Sequence, residues 1–178
     1  MLSISGLKSN KLEESNVVLN EFGFEEERTP DGIRLIDKHT LFTLLHEKKL
    51  QTIQVVDCRS PDEFDNCHLC GAINVWSTEL LKSTFPLELS GPPGIVHSTL
   101  YIFHCEYSTR RSVKALKALQ RADKEVNDFK VAYPNVFLLQ GGLHEFFDTF
   151  KSPALYHVLP KSFLSFDDVA NPTYFNTF

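Results

Sequence analysis

The chain has 178 residues, 42% of them hydrophobic and 23% charged, which suits one soluble globular domain able to bury a core without staples. Eighteen Lys+Arg against 23 Asp+Glu give a net charge of −5, which argues against a general binder of nucleic acid or anionic membranes. Four cysteines, Cys58, Cys67, Cys70 and Cys105, are too few for a disulfide scaffold, and MLSISGLKSNKLEESN lacks the apolar stretch of a signal peptide, so a reducing cytoplasmic or nuclear setting is expected.

Residues 1–30 are polar and read as a partly ordered N-terminal extension, docked through Val17, Val18, Leu19, Phe22 and Phe24. Over residues 31–155 strand and helix signals alternate, the mark of an α/β layer fold. Ile33–Ile36 reads as a short strand. Asp37 then caps a helix carrying Leu41, Leu44, Leu45 and Lys48 at helical spacing. Ile53–Val56 reads as a buried strand ending at Asp57. Ser60-Pro61-Asp62-Glu63 follows with a capping serine, proline at the first helical position and glutamate at the third. Ala72–Val75 is another strand, and residues 77–98, with three prolines and two glycines, read as a surface excursion. Leu100–Phe103 is apolar on both faces, as a central parallel strand is. A long helix is predicted from Ser112 to Lys130, with Val113, Leu116, Leu119, Val126 and Phe129 on its buried face. Val136–Leu139 is the last predicted strand, and Gly141-Gly142 turns the chain into an amphipathic helix around Leu143, Phe146 and Phe147. Residues 156–178 read as a surface tail.

Chemistry concentrates between the strongest strand and the longest helix, at His104-Cys105-Glu106-Tyr107-Ser108-Thr109-Arg110-Arg111-Ser112. A cysteine, five residues and an arginine at a strand-to-helix junction suit phosphoryl transfer through sulfur. The amides of Glu106, Tyr107, Ser108, Thr109, Arg110 and Arg111 can face inward, and the helix N-terminus adds positive potential, so a tetrahedral anion has a cradle. The same field favours a thiolate at Cys105. Arg111 can hold phosphate oxygens with its planar fork, and Ser112 can hydrogen-bond the sulfur as it leaves a phospho-cysteine.

HCEYSTRR resembles the active-site loop of the M-phase inducer phosphatases, dual-specificity enzymes that activate cyclin-dependent kinases. The similarity extends to Val55–Phe64, to His68 with Gly71–Val75, to Val126–Phe129 and to Leu139–Phe147. It implies a rhodanese-like three-layer α/β fold with a central, mainly parallel five-stranded sheet. It implies a phosphotyrosine/phosphothreonine protein phosphatase needing no cofactor and no metal. Its partner would be a phosphorylated protein such as a cyclin-dependent kinase, and the chain a monomer without nucleic-acid or membrane partners. Glu106 matches the family's glutamate after the cysteine and is a candidate general acid. Cys58 matches the family's second cysteine, which implies a redox pair with Cys105. Arg110 departs from the pattern, standing where family members generally carry glutamate. The helix after the loop is the family's docking surface, and this chain offers Lys117, Arg121 and Lys124 there, interrupted by Gln120 and Asp123.

Cys67-His68-Leu69-Cys70 lacks a second ligand pair at zinc spacing and reads as a turn with surface cysteines. Asp57 and Arg59 read as a structural pair at a strand end, Glu63 as a helix cap, and His104 as a residue that orients the loop. Other readings of the same loop are an arsenate reductase or sulfurtransferase on this scaffold, or a module that binds phosphoproteins with little turnover.

Overall fold

The computed structural model describes residues 27–47, 53–88, 99–127, 131–151 and 156–158. In chain order these form β1 (Glu27–Arg28), β2 (Arg34–Ile36), α1 (Lys38–Glu47), β3 (Ile53–Asp57), α2 (Pro61–Asn66), β4 (Cys67–Leu69) and β5 (Ile73–Asn74). There follow α3 (Thr78–Thr84), β6 (Leu100–His104), α4 (Arg111–Val126), β7 (Val136–Leu139), α5 (Gly142–Thr149) and β8 (Tyr156–Val158).

The main sheet has six strands in the order β1-β2-β7-β6-β3-β5. The parallel part consists of the five strands predicted from sequence. The sixth, β1, lies antiparallel on the β2 edge and comes from residues read as extension. Alternation along the strands sorts side chains between two faces. Val56, Phe103, Val136 and Leu138 meet Leu81 and Phe85 of the α3 segment and Ala115, Leu116 and Leu119 of α4. Val55, Ile102, Phe137 and Leu139 meet Leu41 and Leu44 of α1 and Leu143 and Phe146 of α5 on the other. The result is the expected three-layer arrangement.

Local chemistry explains the helix ends. Asp37 accepts from the amides of His39 (2.8 Å) and Thr40 (3.1 Å), capping α1. At α2 the Ser60 hydroxyl accepts from the Glu63 amide (3.3 Å), and the Ser60 amide donates to the Glu63 carboxylate (3.0 Å), a complete capping box.

Three differences from the sequence reading have physical causes. Among the described residues helix α4 runs to Val126 with Asn127 as its cap, and Asp123 near its end, 1% exposed, accepts from the Ala132 (2.8 Å) and Tyr133 (3.0 Å) amides instead of facing solvent. Val126 is 49% exposed instead of facing the core. Cys67–Leu69 is a strand rather than a turn, and it pairs antiparallel with β8, whose residues were read as the start of the tail. The expected docking of residues 17–24, the span 89–98, the predicted helix end at 128–130 and the tail beyond residue 158 lie outside the described residues.

Candidate active site

The register of the parallel sheet brings the site together. Asp57 at the end of β3 is opposite His104 at the end of β6, so the next residues, Cys58 and Cys105, leave neighbouring strand ends. The Cys58 amide donates to the His104 carbonyl at 2.8 Å, which holds the two ends at one level. Cys105 is 3% exposed, and its sulfur accepts from the Ser112 hydroxyl at 3.3 Å.

Helix α5 shapes the loop. The Cys105 carbonyl accepts from the Leu143 amide and the Glu106 carbonyl from the His144 amide, both at 3.0 Å. A trans peptide sets its C=O and N–H in opposite directions, so the Glu106 and Tyr107 amides point away from α5. Ser108 then takes a left-handed φ of 52° to bring the chain round to α4. Close approach of α5 requires Gly142: at φ +67° a Cβ there would sit 2.3 Å from the Glu106 carbonyl oxygen. The first turn of α4 begins at Arg111, aiming the positive end of a 16-residue helix at the loop.

Arg111 closes the loop, but its fork grips Glu63: Nη2 donates to Oε1 at 2.9 Å and Nη1 to Oε2. Burial alone would raise the Glu63 carboxyl, yet the hydrogen bonds and charge of Arg111 bring it below the ordinary glutamate range. Glu63 therefore caps α2 and orients Arg111 at once. The sequence showed only the first role, because the second spans 48 residues. Tyr107, Thr109 and Arg110 lie exposed on the rim, while Ser108 is buried.

A charged network underlies the loop. Arg59, 1% exposed, donates to the Asp57 carboxylate from Nε (3.0 and 3.1 Å) and Nη2 (2.7 Å), as the strand-end pairing predicts. It also reaches the Cys67 carbonyl through Nη2 and Glu106 Oε2 through Nη1 at 3.5 Å. Burial opposes ionisation of Asp57, but Arg59 and His104 outweigh it and hold its carboxyl below the usual value. For Glu106 burial wins over the Arg59 charge, with Glu63 adding to the rise, and its carboxyl is raised to about 7. Glu106 Oε1 lies 3.9 Å from His144 Nδ1. His144 and Gly142 are thus site residues that the sequence assigns only to a helix; the double glycine and the resemblance over Leu139–Phe147 are their signals.

His104 is fully buried, with Nδ1 3.3 Å from the Cys105 carbonyl and Nε2 3.8 Å from Asp57. Burial lowers its imidazole pKa, against the pull of Asp57. Burial also raises the Cys58 thiol well above its ordinary range, and the neighbouring Cys105 and Asp57 charges add to this. Cys67 is half-buried and Cys70 exposed. Among the described residues no group of three or more His, Cys, Asp and Glu is placed to hold a metal ion.

The Rhodanese-like domain family matches residues 39–149, well over half of the chain. The chain belongs to the rhodanese-like domain family. This rhodanese-like domain is 32% identical over 123 residues to M-phase inducer phosphatase 1-B of Xenopus laevis, a match covering 67% of this chain and 22% of that one. It is 29% identical over 119 residues to M-phase inducer phosphatase 3 of Homo sapiens, covering 65% and 25%. The chain therefore spans about a quarter or less of the length of these curated relatives. Among solved structures it is similar to an As-Sb reductase from Leishmania major (TM-score 0.53, 25% identity, 70% of this chain and 84% of that one). A yeast protein tyrosine phosphatase of the rhodanese family shares the fold at TM-score 0.52 and 20% identity, over 71% and 93% of the two chains.

Proposed function

We propose that residues 31–155 form a cysteine-dependent phosphatase that hydrolyses phosphotyrosine and phosphothreonine in proteins. The observation that carries this reading is the pair of carbonyls, Cys105 and Glu106, bonded outward to α5 so that the following amides point away from that helix, while the Ser112 hydroxyl donates to the sulfur. A ring of such amides matches the three equatorial oxygens of a transferring phosphoryl group. The similarity to the M-phase inducer phosphatases supports it.

In this reading the Cys105 thiolate attacks phosphorus, forming a P–S bond as the ester P–O bond breaks. Protonated Glu106 gives its proton to the departing oxygen. Water then attacks phosphorus, its proton goes back to Glu106, and sulfur leaves as thiolate with the Ser112 hydroxyl bonded to it. The amides of residues 106–111 and the Arg111 guanidinium hold the oxygens, and Glu63 keeps Arg111 at the loop mouth. The chemistry uses no cofactor. Hydrolysis of an aryl phosphate in the presence of chelator, blocked by vanadate and reduced to background in Cys105→Ser, is the expected result. Thiosulfate-to-cyanide transfer or thiol-coupled arsenate reduction in its place would replace this reading.

Glu106 makes the reading sensitive to pH. With its carboxyl raised to about 7, the acid form is lost as pH rises through that value, so kcat/KM declines on the alkaline side and Glu106→Gln lacks this limb. Stability changes in the same window. Between the ordinary 4.5 and about 7 the folded state holds a proton that the unfolded state has lost, so rising pH removes stability. Glu106→Gln is expected to be more stable than wild type above pH 7 by on the order of 3 kcal/mol, with the gain vanishing below pH 4, as read by urea midpoints.

The same proposal includes a redox step. Peroxide converts Cys105 to the sulfenic acid, the Cys58 thiol attacks it, and water leaves as the disulfide forms. The adjacent strand ends support this pairing, which peptide mapping after mild peroxide reads directly. For a kinase-type phosphoprotein partner, the outer surface of α4 carries basic residues, of which Lys117 is paired with Asp31, beside the exposed Glu125. Lys117, Arg121 and Lys124 are exposed, whereas Asp123 is turned inward as a staple. The proposal retains the expectation of a monomer working in the cytoplasm or nucleus.

A further inference from the structure

We propose that Tyr107, backed by His144, forms an aromatic wall on the rim of the loop that selects aryl phosphates, placing phosphotyrosine ahead of phosphothreonine as the substrate class. The inference rests on the phosphatase reading of the same loop and goes beyond it, since a ring of amides and an arginine recognise the phosphoryl group without regard to what carries it.

Tyr107 is 46% exposed, and among the described residues it shares the status of exposed large hydrophobic only with Val126, at the far end of α4. Its main chain belongs to the loop, and its side chain is exposed where those of the flanking Glu106 and Ser108 are buried. The residues beside it on the rim, Thr109 and Arg110, are polar. A large ring held in water next to an anion cradle has no use in packing the core.

The wall is also fixed in place. The carbonyl of Glu106, the residue before Tyr107, accepts from the His144 amide at 3.0 Å, so both side chains spring from one hydrogen-bonded junction. The two rings lie 5.0 Å apart between centroids with their planes tilted by 50°. His144 in turn is half-exposed and stands at the first turn of α5, whose position is set by Gly142 against the loop. The ring contact and the Glu106–His144 hydrogen bond thus join the two residues twice.

Ester chemistry then decides what meets the wall. With the three equatorial oxygens in the amide ring, the ester oxygen points out of the mouth. In phosphotyrosine the next atoms are a flat ring, which presents a face or an edge for offset contact with Tyr107. In phosphothreonine they are a tetrahedral carbon with a methyl group, which offers no π surface. An added aromatic contact of this kind is worth about tenfold in affinity.

The test uses the full chain carrying Cys105→Ser, which separates binding from turnover. Two peptides identical except for phosphotyrosine or phosphothreonine are titrated by calorimetry. The expected result is a preference for phosphotyrosine that falls about tenfold when Tyr107→Ala is added and is kept in Tyr107→Phe, because the ring and not the hydroxyl makes the contact. His144→Ala, which leaves the wall unsupported, lowers the preference part of the way. An unmoved ratio in Tyr107→Ala overturns the proposal, as does a Phe variant that falls as far as Ala, or failure of the phosphotyrosine peptide to bind. Turnover of an aryl phosphate by the wild-type chain reads the phosphatase proposal separately. Turnover with an unmoved ratio removes the wall alone, whereas a ratio that moves in a chain without turnover keeps the wall and sinks the phosphatase.

Discussion

Arg59→Ala is expected to destabilise the fold by about 3–5 kcal/mol at pH 7, read as a fall in the urea midpoint. The size follows from what the guanidinium leaves behind. Asp57 is fully buried, and Arg59 supplies its contacts at 2.7–3.1 Å as well as the cation facing Glu106. Deleting one partner of a buried pair leaves an uncompensated charge, which costs far more than the intact pair contributes. The Cys67 carbonyl loses its donor in the same step. Asp57 has a lowered carboxyl pKa in the fold, so its contribution is present at neutral pH and is lost as pH falls through that lowered value. The deficit in Arg59→Ala is therefore largest near neutrality and shrinks on acidification. Combining Arg59→Ala with Asp57→Ala gives a smaller loss than the sum of the two, because the second change removes the stranded charge. A kinetic sign accompanies the thermodynamic one: without the Arg59 cation the Glu106 limb moves to pH above 7.

The second large effect separates adjacent glycines. Gly141 and Gly142 have φ of 73° and 67°, so alanine at either carries about 1–2 kcal/mol for the left-handed backbone. Their surroundings differ. The three atoms nearest a Cβ at Gly141 all belong to the end of the Glu145 side chain, which can rotate away. A Cβ at Gly142 meets the Glu106 carbonyl oxygen at 2.3 Å and the Cys105 carbonyl oxygen at 2.7 Å, both main chain. Gly142→Ala must therefore push α5 off the loop or distort it, and a misplacement near 1 Å at a reacting centre costs about 100-fold in kcat/KM. Gly141→Ala is expected to lose stability with kcat/KM within a few-fold of wild type. Equal kinetic losses in the two variants would mean that α5 does not shape the loop.

The sequence made the five parallel strands legible because each coincides with a short run dominated by apolar residues, interrupted only by Arg34, Gln54 and Asn74, and bounded by turn signals. It hid β1, a pair of exposed charged residues whose only strand signal is its partner. It hid β4 and β8 for a similar reason: each is three residues long and takes its form from the other. At the site, local relations could be read and distant ones could not. Asp57 with Arg59 and Ser60 with Glu63 are neighbours in sequence, and both pairings are present. The grip of Glu63 on Arg111 joins residues far apart in the chain, and nothing in either segment announces it. Asp123 illustrates the opposite error, since a carboxylate on a polar-looking helix reads as solvent-facing until the chain folds back onto it.

The bonds from α5 to the Cys105 and Glu106 carbonyls bear on how an anion would be received. The ring owes its curvature to a neighbouring helix, so the conformational entropy of that segment is surrendered once, when the chain folds. A ligand arriving there has little left to order, and its affinity reflects charge and fit rather than the work of closing a floppy segment. Association at such a stiff receptor is expected to show a small entropy penalty and a pronounced dependence on ionic strength.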